Sequence, residues 1–203
     1  LEPACPPGQV PANPFPDAAN RVHSDSVGCM AWWRIANGSS GGKYRPLESV
    51  RRDQMAAFLA RYLFASHAAM PIDVPDAFPD DDDSVHESHI NVLAAMGVIG
   101  GRTDGTFAPS GEVTRGQMAT FLARAIPHAT RAPLAANADY FADDSGDVHE
   151  PNINLIAQAG VAGGTADGRY RAGAPVRRDQ MASFLARAVV LSVAASTATP
   201  PSG

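Results

Sequence analysis

The sequence has few aromatic residues, few cysteines and no excess of basic charge. Aromatic side chains make up 7% and charged side chains 18% of the 203 residues, against 45% hydrophobic residues. That hydrophobic share is enough for a buried core and argues against general disorder. Lys and Arg number 16 and Asp and Glu 21, for a formal net charge of -5. Nucleic-acid binding is therefore not expected, because it needs a basic face that releases counterions from phosphates.

Long apolar runs are also missing, and a membrane-spanning helix needs roughly 20 such residues. We therefore expect no membrane insertion. The chain opens on Leu1 rather than Met, which predicts removal of a signal peptide and export from the cell.

The two cysteines are Cys5 and Cys29, and Cys5 lies in a Pro-rich stretch that secondary structure alone cannot hold. We predict a disulfide between them, with two free thiols as the alternative. A disulfide suits an exported protein. Closing this loop would stabilise the fold by roughly 3 kcal/mol by restricting the unfolded chain.

A 63-residue repeat runs through the chain, marked by Phe15, Phe78 and Phe141. When residues 78–127 are aligned with 141–190 without a gap, 25 of 50 positions are identical. Such self-similarity is typical of tandem repeats. The predicted divisions are a Pro-rich head (1–14), unit 1 (15–64), unit 2 (78–127), unit 3 (141–190) and a Ser/Thr/Pro tail (191–203).

Each unit has the pattern of two helices joined by a glycine-rich turn. In unit 2, apolar residues recur at helical spacing from Ile90 to Val98. Asp104–Gly105 predicts a tight turn or small hairpin, and Thr114 with Gln117 forms a capping box that starts a second helix. Two helices of this size cannot bury their apolar faces alone. The predicted fold is therefore mainly α, with three two-helix repeats that share one core.

The order of these motifs resembles the S-layer homology family. It comprises a Phe-x-Asp opening, a helix ending at glycine, an Asp-Gly-Thr-Phe turn and a Val-Thr-Arg-x-Gln helix start. The Arg-x-Gln-Met-Ala-x-Phe-Leu-Ala-Arg form is similar to that in exported proteins of high-GC Gram-positive bacteria. The resemblance implies a pseudo-threefold helical prism with short turn or hairpin segments. It also implies an extracellular location at the cell surface or in the cell wall.

The resemblance further implies a protein that binds secondary cell-wall polysaccharide, often carrying acidic pyruvylated sugars, in grooves between its units. The arginine of the family's helix-start motif is a ligand contact, and a guanidinium near a helix N-terminus suits a carboxylate. The sequence departs from the family in carrying Gln for the motif's usual Glu, and the cap Thr occurs only at Thr114. The carbohydrate-binding residues predicted on this basis are Arg52, Arg115, Arg178, Gln54, Gln117 and Gln180.

The adjacent Trp32 and Trp33 add two candidates for carbohydrate binding by stacking on a sugar. The alternatives are a contact with another subunit and packing in the core. Adjacent helix positions cannot both face one interior, so we expect one of the two rings at the surface.

Other polar residues recur in register and have structural interpretations. His23, His86 and His149 could form a zinc site, but each stands where a helix begins and can bond nearby backbone. Acidic runs after Asp80 and Asp143 could hold calcium, but such residues more often favour the positive end of a helix. We therefore predict structural roles for the three histidines and for Asp17, Asp80 and Asp143, with no metal and no cofactor.

The sequence contains no nucleophile motif and no phosphate loop, so we do not expect an enzyme. Two functions remain. The first is a structural surface protein that binds wall polysaccharide. The alternative is a self-assembling subunit of a surface layer or extracellular filament, in which the repeats mediate protein–protein rather than carbohydrate contacts. In such a homopolymer we expect head or tail to reach a neighbouring subunit.

Overall fold

The computed structural model describes residues 1–39 and 41–201. Three residues lie outside these ranges, Ser40 of the predicted turn of unit 1 and Ser202 and Gly203 of the predicted tail. The described part contains six α-helices, namely α1 (Ser24–Trp32), α2 (Arg52–Ala65), α3 (Glu87–Ala95), α4 (Arg115–Thr130), α5 (Glu150–Gln158) and α6 (Arg178–Ala194). Extended pairing within these ranges is limited to three isolated bridges. The mainly α fold class is thus confirmed, and each unit holds two helices.

The first helix of each unit ends where the chain takes a left-handed turn. Gly97 follows α3 with φ of 69° and Gly160 follows α5 with φ of 72°. Such a conformation is favourable for glycine and ends helices. Unit 1 has Arg34 in the equivalent place, with φ of 57°. No helix in the described ranges has both the length and the hydropathy to cross a bilayer.

The units contact one another in cyclic order. The first helix of each unit packs against the second helix of another unit: α3 on α2, α5 on α4, and α1 on α6. Three buried valines join the units through backbone hydrogen bonds. Val113 donates to the Val50 carbonyl (2.9 Å), Val176 to Val113 (2.9 Å) and Val50 to Val176 (2.8 Å). The contacts therefore return from unit 3 to unit 1, while the prism geometry stays a prediction.

All three second helices bury the same apolar stripe in one shared core. In α2 the stripe comprises Met55, Phe58 and Leu59, none of which is more than 3% exposed. Burying a side chain of this kind contributes roughly 1.5–3 kcal/mol relative to leaving it in water. The equivalent residues of the other two helices are Met118, Phe121, Leu122, Met181, Phe184 and Leu185.

The Pro-rich head is tied to unit 1. Cys5 and Cys29 form the predicted disulfide, with their Cα atoms 5.8 Å apart. The Trp33 indole donates a hydrogen bond of 2.8 Å to the Ala4 carbonyl, and Ala4 is fully buried. Asn13 extends the attachment by donating to the Ser24 carbonyl at 3.0 Å.

The tail also folds back onto its own chain. The Thr197 hydroxyl donates to the Ser192 carbonyl at 3.0 Å, and Ala198 is 6% exposed. The disulfide, the Trp33 bond and these tail contacts attach both described ends to their own chain. Their contact with a neighbouring subunit stays a prediction.

Candidate functional site

The helix-start arginines Arg52, Arg115 and Arg178 are buried between units. Each is 7% exposed and occupies the first position of its helix. Arg52 of unit 1 donates from Nε to the Phe107 carbonyl (2.6 Å) and from Nη2 to the Gly100 carbonyl (3.0 Å), both in unit 2. The equivalent acceptors are Tyr170 and Gly163 for Arg115, and Tyr44 and Asn37 for Arg178.

Each of these guanidinium groups also lies between two aromatic rings. The Arg52 guanidinium carbon is 4.5 Å from the Phe107 ring centroid and 5.7 Å from that of Phe121. Burial lowers the pKa of Arg52, and cation–π attraction stabilises the cation in this place. The rings that enclose the other two arginines are Tyr170, Phe184, Tyr44 and Phe58.

Backbone carbonyls of the neighbouring unit also accept hydrogen bonds from the amides at the helix N-termini. The Arg52 amide donates to the Gly111 carbonyl (2.8 Å) and the Asp53 amide to the Pro109 carbonyl (3.0 Å). These amides would otherwise be the free donors that make a helix start attractive to anions. The arginines and the amides therefore join the units, a role that the sequence reasoning missed. The sequence offered one signal of this role: an aromatic residue ends the turn of every unit, and it recurs with the same spacing as the arginines.

The predicted glutamines cap their helices. Gln54 Oε1 accepts a hydrogen bond from the Arg51 amide at 3.3 Å, and Gln117 and Gln180 accept equivalent bonds. Arg51 makes two hydrogen bonds to the carboxylate of Asp53, at 3.1 and 2.8 Å. The charge of Arg51 is therefore neutralised by Asp53 of its own helix, and Arg51 adds little positive charge to the surface.

A small pocket of about 200 Å³, here called the first groove, opens where the three units meet. It lies between the turn of unit 1 and the side of α2 that carries Gln54 and Arg61, and it includes one residue from each of the other two units. Its lining residues are Asn37, Gly38, Ser39, Gln54, Ala57, Phe58, Arg61, His86 and Arg178.

The first groove has a cationic lining. Arg61 and Arg178 both contribute to it, and no acidic residue is found among its described lining residues. Burial lowers the pKa of Arg61, and the charge of Arg178 lowers it further. Burial also lowers the pKa of His86, although the charge of Asp53 opposes that shift. An anionic ligand would relieve the repulsion between the two guanidinium groups.

One position distinguishes this groove from the equivalent places in the other units. Where α4 has Thr120 and α6 has Ser183, α2 has Ala57. His149 Nδ1 lies 2.8 Å from the Thr120 hydroxyl, and His23 Nδ1 lies 2.8 Å from that of Ser183. No hydroxyl at position 57 engages His86, so the ring of His86 is left to line the pocket.

The three histidines face three separate helices, α6, α4 and α2, and do not share a site. The repeated first aspartates hold the turns in place. Asp80 accepts hydrogen bonds from the amides of Phe107 (2.7 Å) and Ala108 (2.8 Å). Asp17 and Asp143 accept the equivalent pairs of bonds.

The two tryptophans divide between interior and surface. Trp33 is 6% exposed and bonded to the head, so its ring is not offered to a ligand. Trp32 is half-buried and meets Trp33 edge-on, with ring centroids 6.4 Å apart. A stacking contact with a sugar could therefore involve Trp32 alone.

Comparison with known proteins finds a domain match in two segments of the chain. The model of the S-layer homology domain matches residues 78–119 and 143–182, which lie in units 2 and 3. Units 2 and 3 are thus identified as S-layer homology domains over these residues. These domains place it at the cell surface, outside the cell. The S-layer homology match ends at the motif helices α4 and α6, whose first residues are Arg115 and Arg178.

Two bacterial S-layer proteins are similar to part of this chain. An S-layer protein of Bacillus thuringiensis subsp. finitimus is 33% identical over 117 residues, which are 57% of this chain and 14% of that protein. The S-layer protein sap of Bacillus anthracis is 34% identical over 103 residues, which are 50% of this chain and 12% of that protein. The similarity thus covers a small part of each relative.

Proposed function

We propose that this chain is a non-catalytic surface protein that binds an anionic saccharide of the cell wall in the first groove. The observation that carries the proposal is the lining of Arg61, His86 and Arg178 with no acidic residue among its described members. Charge-assisted hydrogen bonds from guanidinium groups recognise carboxylates with fixed geometry. The pocket is smaller than the roughly 300–1,000 Å³ of drug-sized sites, which suits one acidic sugar unit of a polymer.

The proposal assigns different roles to the predicted carbohydrate-binding residues. Arg178 and Gln54 belong to the first groove, where Arg178 is held by the turn of unit 1 and Gln54 has its amide NH₂ left to donate. Arg52 and Arg115, with Gln117 and Gln180, hold equivalent positions at the other two junctions. Those junctions are secondary sites in this proposal, because a hydroxyl engages the histidine there.

Arg61→Gln tests the groove without removing an arginine that joins units. Arg124→Gln is the matched control, since Arg124 holds the equivalent position on α4 and is exposed. Each protein is mixed with purified wall sacculi and the bound fraction measured after sedimentation. We expect Arg61→Gln to weaken binding about tenfold or more, as for loss of one charge-assisted hydrogen bond, and the control, which lies at a secondary site, to weaken it much less. Equal binding by all three proteins would refute the proposal.

Ala57→Thr is a second test that leaves every charge in place. It gives α2 the hydroxyl that α4 already has, which should bond His86 and narrow the groove. Binding to sacculi should fall while the melting temperature stays the same or rises. Unchanged binding would show that the groove does not hold the saccharide.

Self-assembly is the second candidate function. It is favoured by apolar residues that recur at the surface, since Val22, Val85 and Val148 are 96%, 86% and 84% exposed. Phe64 adds a further apolar side chain with 78% exposure. Sedimentation velocity across a concentration series tests this candidate, with Val85→Ser as the variant. Self-assembly would be supported if the wild type assembles and Val85→Ser weakens that assembly. It would be excluded if the wild type is a monomer at every concentration.

A further inference from the structure

Two buried carboxylates in the turns before the first helices of units 2 and 3 have no hydrogen-bond partner among the described residues. Asp81 in unit 2 is fully buried and Asp144 in unit 3 is 1% exposed. Neither oxygen of either side chain accepts a hydrogen bond. An isolated carboxylate is costly to bury and normally has a cation or donors beside it.

More acidic groups surround Asp81 instead of donors. Asp76, Asp82 and Glu87 each place a carboxylate oxygen within 4.8 Å of the other two. Burial and then the charge of Asp76 raise the pKa of Asp81 to about 6, and Glu87 adds to the effect. Three carboxylates therefore converge where the linker between units 1 and 2 meets the N-terminus of α3, and the buried, unpartnered Asp81 directly precedes one of them.

Unit 3 repeats most of this arrangement. Asp144 is buried without a hydrogen-bond partner, as Asp81 is, and Asp139 and Glu150 complete the set. These three residues are the equivalents of Asp81, Asp76 and Glu87. The equivalent of Asp82 is Ser145, so unit 3 has one carboxylate fewer.

Unit 1 shows what the same place looks like without the charges. Its equivalent residues are Asn13, Ala18 and Ser24, all neutral. Here Asn13 Nδ2 donates to the Ser24 carbonyl (3.0 Å) and hydroxyl (3.3 Å), so the polar groups satisfy one another. The buried carboxylate and its acidic neighbours thus occur together in units 2 and 3 and are missing together in unit 1. This joint change indicates that they serve one ligand.

We propose that Asp76, Asp81, Asp82 and Glu87 bind a calcium ion in unit 2, and that Asp139, Asp144 and Glu150 bind a second one more weakly in unit 3. All the donors are hard oxygens, which favours Ca²⁺ over Zn²⁺. Opposite ligands of Ca²⁺ are roughly 4.6–5.2 Å apart, so carboxylate oxygens that lie within 4.8 Å of one another can share one such ion. Asp76 and Asp82 are exposed and give the ion a route from solvent.

Calcium binding would fasten the linker before unit 2 to the first turn of α3, because Asp76 belongs to the linker and Glu87 to the helix. The ion would also neutralise the buried charge of Asp81. We therefore expect calcium to raise the melting temperature. Affinity should be higher in unit 2, which offers more carboxylates.

Isothermal titration of chelator-treated full-length protein with calcium chloride tests the proposal. Wild type should bind with a tight and a weak step. Asp81→Asn should weaken the tight step by about tenfold or more, and Asp144→Asn should remove the weak one. The matched control is Asp25→Asn, an exposed aspartate of α1 in unit 1, which should bind as wild type. No saturable heat in wild type, or wild-type binding by both variants, would overturn the proposal.

The melting temperature in chelator separates loss of a ligand from loss of the fold. Asp81→Asn replaces a buried charge with a neutral amide, so this variant should melt in chelator at the wild-type temperature or above it. It should also gain less than wild type on adding calcium. A variant that melts well below wild type in chelator would show that the carboxylate serves the fold itself, and the proposal would fail.

Discussion

The opening phenylalanine of each unit packs on a glycine in that unit's own turn. A Cβ at Gly101 would lie 2.7 Å from a ring carbon of Phe78 and 2.9 Å from the Thr106 carbonyl oxygen. Real Cβ atoms do not approach other atoms so closely, so this contact requires glycine. Gly38 with Phe15 and Gly164 with Phe141 repeat the arrangement. The ring, the turn and the aspartate that holds the turn thus form one local structure.

Gly101→Ala should therefore destabilise the protein by about 1–3 kcal/mol, as overpacking of a tight contact does. Its neighbour provides the control, since a Cβ at Gly100 would have no atom within 4 Å. Gly100→Ala should change the free energy of unfolding by no more than about 0.5 kcal/mol. Urea denaturation measures both. Similar losses in the two variants would contradict the requirement for glycine in this turn.

At the scale of elements, the second helices are joined to the next unit by their first residues. The Arg115 side chain reaches two carbonyls of unit 3, and its amide donates to the Ala174 carbonyl at 2.9 Å. The hydroxyl of Tyr170 in turn donates to the Arg115 carbonyl at 3.0 Å. Each helix start is thus built from two units, which explains why one unit cannot form its own core.

Arg115→Lys should cost about 1–3 kcal/mol, because an ammonium cannot reach both carbonyls or stack between two rings and leaves a buried acceptor unpaired. Arg124→Lys is the control on the exposed side of the same helix and should be neutral within about 0.5 kcal/mol. The free energy of unfolding in urea gives both values. If the two changes cost the same, the arginine does not join the units.

For the whole molecule, sequence reasoning predicted the helices and their common core because the 63-residue repeat and the apolar spacing are visible in the chain. It also predicted the disulfide, since a Pro-rich head needs a covalent tie. The role of Arg52 between units was not predicted, because its backbone carbonyl acceptors lie 48 and 55 residues away, and the recurring aromatic residue at the end of each turn did not by itself identify them. The position of Ala57 opposite His86 likewise emerges only when two units are brought together.

The junction of the three units matters most for function, because the first groove there is proposed to bind an anionic wall saccharide. A crystal structure of the full chain with a short pyruvylated saccharide from the wall polymer examines that binding directly. We expect the carboxylate of the sugar to contact Arg61 or Arg178, with the ring of His86 beside it. A saccharide bound elsewhere on the surface, with the first groove empty, would contradict the proposal.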